Sequence, residues 1–460
     1  MTMRPPRAAA AGACRPAPPQ TAGRRAVFRT PAFAARTPVL AVQATLTALA
    51  LTACTTAVTP APLPLEVREP PPTTVRALHR LVADGAPGAA SLITHDGDFH
   101  AARFSTAGVS DLRSGRPMGP GDHFRAGSLT KTVIATVILQ LVAEGKLALD
   151  DTAAGHLPAG VPATGTGEKA SDLRRVTIRQ LLSHTSGLFN YTEDPRLSRQ
   201  LSGNGFGAHR YDSHTPAELL RIALSHPQVT APGTGPHNQH GPHGPHGRGG
   251  GPFAYSYSNT NYLVLGLIIG EVTGHRYSEE VRRRVITPVG LDETTFPGTD
   301  PVLPAPHGRA YSRIGDRQVD TTSLDPSRAG AAGEMITTLG DLNRFFAALL
   351  GGKLLPPRQM AQLRNEKISD GTYGLGLYAT ELPCGRTVWG HNGDINGSYA
   401  QTAGTADGRR LLSYRINTDT LTKPGDGTAV LEAEFCPPTR SRKSPGGKSP
   451  GGKAPGRAAP

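Results

Sequence analysis

The spacing of hydrophobic positions changes several times along this chain. In VRALHRLVADG (75–85) apolar residues fall three and four apart, which predicts a short amphipathic helix. The next stretch, AASLITHDGDFHAARFSTAGVSD, alternates instead, and Asp96-Gly97 at its centre predicts a hairpin of two strands. Helical spacing resumes from Ser128 through Val133, Val137, Leu141 and Val142, with a stop expected near Gly145. Helices and loops fill the chain to about Tyr255. A long helix is predicted from Tyr262 to Thr273, with others over 337–350 and 357–367. Alternation returns at 373–380, 386–391, 398–403 and 410–416. Strands at both ends with helices between them predict an α+β body whose sheet pairs N- and C-terminal segments.

The two ends follow other patterns. Seven arginines and no acid lie in residues 1–36, and an apolar run, PVLAVQATLTALALTAC, follows them. That run has signal-peptide length and is too short to span a membrane. It ends Leu51-Thr52-Ala53-Cys54, which is similar to a bacterial lipoprotein signal; Cys54 is then the lipidated first residue of the mature protein. An ordinary cleavage site nearby is the alternative, a twin-arginine reading of Arg24-Arg25 stays open, and the true start could lie downstream of Met1. The segments are therefore 1–53, a signal; 54–74, a Pro/Thr-rich tether; 75–436, the domain; and 437–460, a basic tail in which SPGGKSPGGKAPG cannot pack a core.

The net charge of +13 resides in those ends, seven groups before residue 37 and six after Cys436, so the body is formally neutral. Nothing in it suggests a nucleic-acid groove. The basic tail suggests attachment to anionic wall polymers. Cys384 and Cys436 are the cysteines left in an exported domain and are expected to pair. Within the domain, residues 234–251 carry His237, His240, His243 and His246 among Gly and Pro. A metal-binding tract is one reading. A flexible insertion is the preferred one, since no carboxylate or cysteine fixes a geometry, and no metal or other cofactor is expected.

Three motifs carry candidate chemistry. Ser128-Leu129-Thr130-Lys131 opens a helix, so Ser128 and Lys131 share a face, and the helix N-terminus offers N–H groups to a developing oxyanion. Alone, S-x-x-K arises by chance roughly once or twice in a chain this size. The second motif, Tyr257-Ser258-Asn259, sits at a loop–helix junction, with Ser258 or Asn259 as cap. A phenol there, tuned towards phenolate by a nearby lysine, can serve as general base. The third is His391-Asn392-Gly393-Asp394, where a glycine on an edge strand permits close backbone approach.

In that order the motifs resemble those of the penicillin-recognising serine hydrolases: class C β-lactamases, related esterases and Streptomyces-type D-alanyl-D-alanine carboxypeptidases. The resemblance covers roughly 75–436 and includes LLSHTSGL (181–188), YSNTNY (257–262) and AGAAGEMITTLGDLNRFFAALL (329–350). It implies a β-lactamase/transpeptidase-like fold, an antiparallel sheet flanked by helices plus a mostly helical subdomain. It also implies an acyl-enzyme on Ser128, with Lys131 and Tyr257 sharing the proton and Asn259, His391, Asn392 and Gly393 binding substrate. Backbone N–H groups of Ser128 and Asp394 would form the oxyanion hole.

There are departures from the family pattern. Asn392 stands where the carboxypeptidases have Thr, Asp394 where they have a hydroxyl, and 372–384 lacks their carboxylate-binding arginine, Tyr378 occupying roughly that place. The leading expectation is a monomeric, membrane-anchored extracytoplasmic D-alanyl-D-alanine carboxypeptidase acting on cell-wall peptides. An esterase or β-lactamase of the same fold, taking an ester or β-lactam, is the alternative. A catalytically silent cell-wall peptide binder is the alternative from another class.

Overall fold

The computed structural model describes residues 72–166, 170–229, 255–419, 423 and 425–436. The signal segment with Cys54, most of the tether, the histidine-rich insertion and the basic tail lie outside the described residues.

Helix α1, Pro72–Ala83, begins before Val75, so residues 72–74 belong to it and not to the tether; a proline suits a first helical turn. Strands β1 (Gly88–His95) and β2 (Asp98–Gly108) form the hairpin read from the sequence. Its turn is built by Asp96 and Gly97, both at positive φ (54° and 72°), the backbone that a two-residue hairpin loop requires. Helix α2, Leu129–Ala143, has 12 buried residues, which makes it a central helix with almost no wet face. Helix α3, Asn259–Thr273, starts before the expected Tyr262 and is likewise sunk in the core. Helix α4 spans Leu339–Leu350. Strands β3 (Tyr378–Glu381), β4 (Thr387–Ile395), β5 (Ser398–Gly404) and β6 (Arg410–Ile416) complete the main sheet. The chain closes on helix α5, Asp426–Phe435, which the sequence reading did not anticipate.

The sheet runs β2-β1-β6-β5-β4-β3, antiparallel throughout, so the N-terminal hairpin joins the C-terminal strands as the alternation predicted. Alternate residues divide it into two buried faces. Ala90, Leu92, Ala400 and Leu411 face the large helical core around α2 and α3. Ala89, Ile93, Leu412, Tyr414 and Ile416 face α1 and α5, whose ends meet where Thr73 Oγ1 donates to Ala433 O. The Cys384–Cys436 disulfide ties the β3–β4 turn to the end of α5, with Cα atoms 5.9 Å apart.

One expected strand is mostly something else. Residues 373–377 keep the alternation, with Tyr373, Leu375 and Leu377 fully buried. They bond to the end of a neighbouring helix, Pro357–Leu363, instead of a strand, Leu375 N donating to Leu363 O at 2.9 Å. The alternation is one of large apolar residues with Gly374 and Gly376, all five positions are buried, and Gly376 at φ 103° leaves extended geometry, so the pattern does not require a ladder.

Candidate active site

The N-termini of α2 and α3 converge on one open cleft of about 460 Å³, whose walls include Ser128, Tyr257, Asn259, Arg328, Asn392, Asp394, Asn396 and Asp419. Ser128 stands at the N-cap of α2, where a serine hydroxyl ordinarily accepts from the first-turn N–H groups. Here it makes no such cap. Its Oγ is instead shared by Lys131 Nζ at 2.9 Å and the Tyr257 hydroxyl at 2.7 Å.

Lys131, one turn into a buried helix, has no route to solvent. Its Nζ also donates to Asn259 Oδ1 at 2.7 Å and to the carbonyl of Ala332 at 2.8 Å. The Ala332 segment is pinned alongside: Ala126 N donates to Met335 O, and Met335 N to Thr130 Oγ1. Burial pulls the Lys131 pKa down to about 7, and the negative charge of Asp394 resists that fall. A neutral amine at this position has two N–H bonds, for Asn259 and Ala332, and one lone pair for the Ser128 proton. The geometry therefore satisfies every group when Lys131 is uncharged.

Tyr257 behaves differently from the phenolate expected from the sequence. Burial raises its pKa well above the usual phenol value, so it stays protonated and donates to Ser128. The ring is held from behind by His184, of the LLSHTSGL segment, with centroids 4.3 Å apart. His184 is itself tied to the start of α3: Ser258 N donates to its Nδ1 at 3.2 Å. In the sequence the only signal for His184 is the short polar interruption between the buried Leu182 and Leu188.

Strand β4 brings the third motif to the serine through two facing glycines. A Cβ on Gly393 would fall 2.0 Å from Ala126 O and 2.8 Å from Ser128 N. Gly127, at φ 53°, would meet Asp394 O at 2.4 Å if it had one. Without side chains there, the Gly393–Asp394 backbone lies against that of Gly127–Ser128, which suits the N–H groups of Ser128 and Asp394 to one oxyanion.

The other residues of the motif divide. Asn392 reaches the cleft wall and accepts from the Tyr378 hydroxyl at 3.1 Å. His391 does not reach it: fully buried, its Nε2 meets the Tyr373 hydroxyl at 2.7 Å and its Nδ1 the carbonyl of Asn392. The substrate-binding role expected for His391 therefore has no support in its placement, because strand alternation turns the ring into the tyrosine cluster. Asn259 spends Oδ1 on Lys131, leaving Nδ2 near Thr192 Oγ1 at 3.4 Å.

Two charged cleft residues went unread in the sequence. Arg328 is buried on the wall and forms no salt bridge among the described residues, although the charge of Asp325 reaches it; it donates to Asn396 Oδ1 at 2.8 Å and to Leu201 O, and its Nη1 has no acceptor. Asp419 accepts from Gly397 N at 3.2 Å. Neither belongs to a motif, and only the fold brings them to the serine.

Comparison with known proteins agrees with this architecture. A family model described as Beta-lactamase matches residues 75–238 and 248–434. A D-stereospecific amidohydrolase from Streptomyces sp. is similar in structure, with a TM-score of 0.68 and 40% identity over 79% of this chain and 98% of that one. The putative penicillin-binding protein PbpX of Bacillus subtilis is 27% identical over 59% of this chain and 57% of its own length. Esterase EstB of Burkholderia gladioli is 30% identical over 46% of this chain and 48% of its own. The chain thus spans about half the length of these two curated relatives. With its S-x-x-K serine at the head of a buried helix beside an antiparallel sheet, the chain belongs to the Beta-lactamase family.

Proposed function

We propose that the protein is an extracytoplasmic serine amidohydrolase that cleaves amide or ester bonds through an acyl-enzyme on Ser128. One observation carries this reading: Ser128 Oγ sits between buried Lys131, titrating near 7, and a protonated Tyr257, at the floor of an open cleft. Neutral Lys131 takes the proton as Oγ attacks the carbonyl carbon. The N–H groups of Ser128 and Asp394 receive the negative charge on oxygen. The bond to the leaving nitrogen or oxygen breaks, and Tyr257 protonates it, replenished from Lys131. Water then attacks the ester, the bond to Oγ breaks, and a carboxylic acid leaves. The relatives support this chemistry, since an amidohydrolase, an esterase and a putative penicillin-binding protein share the fold.

D-Alanyl-D-alanine carboxypeptidase activity is the second reading, favoured by Arg328, a cleft cation able to meet a terminal carboxylate. Intact-mass analysis tests both. Incubation with benzylpenicillin, with D-phenylalaninamide and with a peptide ending in D-Ala-D-Ala should give a covalent adduct or turnover on the wild type and neither on Ser128→Ala. Release of D-alanine alone would select the second reading; ammonia release from the amide supports the first. Turnover that persists in Ser128→Ala would sink both.

A further inference from the structure

The chemistry above uses only the backbone N–H of Asp394. Its carboxylate opens on the cleft, and no hydrogen bond or ion pair engages it among the described residues. Asp419 adds a second negative charge to the same cleft, held by Gly397 N and Ser312 Oγ. No protein cation forms an ion pair with Asp394 among the described residues; burial raises its pKa, and the charge of Lys131 only partly offsets this through space. Lys131 Nζ is engaged by Ser128, Asn259 and Ala332, and the hydrogen bonds of Arg328 go to Asn396 and Leu201, neither cation bonding to Asp394.

An unpaired carboxylate beside an oxyanion hole opposes the reaction it borders. Negative charge grows on the substrate oxygen in the transition state, and a like charge next to it raises that state's energy. A neutral substrate leaves this repulsion in place. A substrate carrying a positive charge at that point removes it.

We propose that Asp394 is the ammonium subsite of this cleft, and that the enzyme selects aminoacyl amides and esters with a free α-amine. This rests on the amidohydrolase reading above. Position argues for the α-amine. The backbone of Asp394 packs against Gly127, so its carboxylate lies within a side chain's length of Ser128. An α-ammonium is two bonds from the carbonyl carbon that Ser128 attacks, and an amine at the end of a long side chain would overshoot.

Pairing has a second consequence. The Asp394 charge favours the ammonium form of Lys131, so a substrate cation that neutralises Asp394 also shifts Lys131 towards its basic form. The right substrate readies the base that acts on it. The same carboxylate repels substrates that carry an anion in place of the amine.

The test compares D-phenylalanine p-nitroanilide with its desamino analogue, phenylpropanoyl p-nitroanilide, in wild type and Asp394→Asn. The wild type should favour the free-amine substrate by about tenfold to a hundredfold in kcat/KM, as expected for a charge pair in a cleft. In Asp394→Asn that ratio should fall close to one, however the absolute rates move, and Asp394→Glu should recover part of it. A wild type without preference overturns the subsite whether or not the variants fold, and so does a ratio unchanged in Asp394→Asn. Ser128-dependent turnover of both anilides at equal rates would remove the subsite and leave the amidohydrolase reading intact. No turnover of either, with no penicillin adduct on Ser128, would remove both.

Discussion

The two halves of the cleft are built on different terms. On the helix side, Ser128 Oγ, Lys131 Nζ, the Tyr257 hydroxyl and Asn259 Oδ1 are joined by hydrogen bonds of 2.7–2.9 Å, and Lys131 is wholly enclosed. On the strand side, Asp394 is unpaired and solvent-touching, and Arg328 keeps a nitrogen without an acceptor. Enclosure on the first side does chemical work, since removing water shifts the lysine towards its base form. Open charge on the second side is costly until a substrate arrives, which is how a binding surface stores discrimination. Reactivity sits where the polar groups are satisfied, and selectivity where they are not.

The largest effects should come from breaking the helix half. Lys131→Ala removes the base and leaves Asn259 and Ala332 O without a donor; kcat should fall about a thousandfold on any substrate, amide or ester. Gly393→Ala keeps every side chain of the helix half but drives a methyl into Ala126 O and the amide of Ser128. It should lower kcat about a hundredfold or more, the size of a lost oxyanion donor, with circular dichroism unchanged. Equal rates in Gly393→Ala and wild type would mean that β4 does not form the oxyanion hole. Tyr257→Phe is subtler. A nitrophenolate leaves without a proton and an amine does not, so the variant should lose about a hundredfold on D-phenylalaninamide and much less on a nitrophenyl ester. Equal losses on both would assign Tyr257 to serine activation instead.

The same division governs what could be read in the sequence. The helix half was legible because proton transfer needs residues at fixed spacings: Ser128 and Lys131 one turn apart, Tyr257 and Asn259 flanking a helix cap. The hairpin turn at Asp96-Gly97 and the pairing of terminal strands were legible because turn chemistry and alternation are local. The strand half showed only as departures, Asp394 and Tyr378 standing where other residues were expected. Arg328 and Asp419 lie in segments without a motif and reach the cleft through tertiary packing. His391 was misplaced because motif order does not say which way a strand residue points, and its ring turns to Tyr373. Helix α5 was missed because residues 426–435 were read only for the charges and the cysteine that follow them.

pH couples the halves. Lys131 acts as a base when neutral, and its pKa is lowered to about 7, so kcat/KM on a substrate without an amine should rise as pH increases through that value and level off above it. Asp394 opposes the lowering, so in Asp394→Asn the inflection should move to lower pH. A profile that does not move would show that the strand half leaves the base untouched, and the comparison would lose its electrostatic link.

The smallest effect on catalysis is expected from the disulfide, and it separates stability from the cleft. Cys384 and Cys436 close a loop of 52 residues between the β3–β4 turn and the end of α5, on the face of the sheet away from the helical core. Chain entropy for a loop of that size gives about 4 kcal/mol, an upper figure because the unfolded chain keeps some structure. Cys384→Ser should therefore lower the melting temperature by several degrees, read by calorimetry in oxidising buffer. The bond lies at the end of β4 opposite Asp394, and nothing in the cleft touches it. At 25 °C both the rate on a nitrophenyl ester and the preference for the free-amine anilide should match the wild type. If the preference falls while the ester rate holds, the strand half depends on this tether for its geometry. Asp394 would then owe its position to the far end of its own strand as well as to the glycine contact with Ser128.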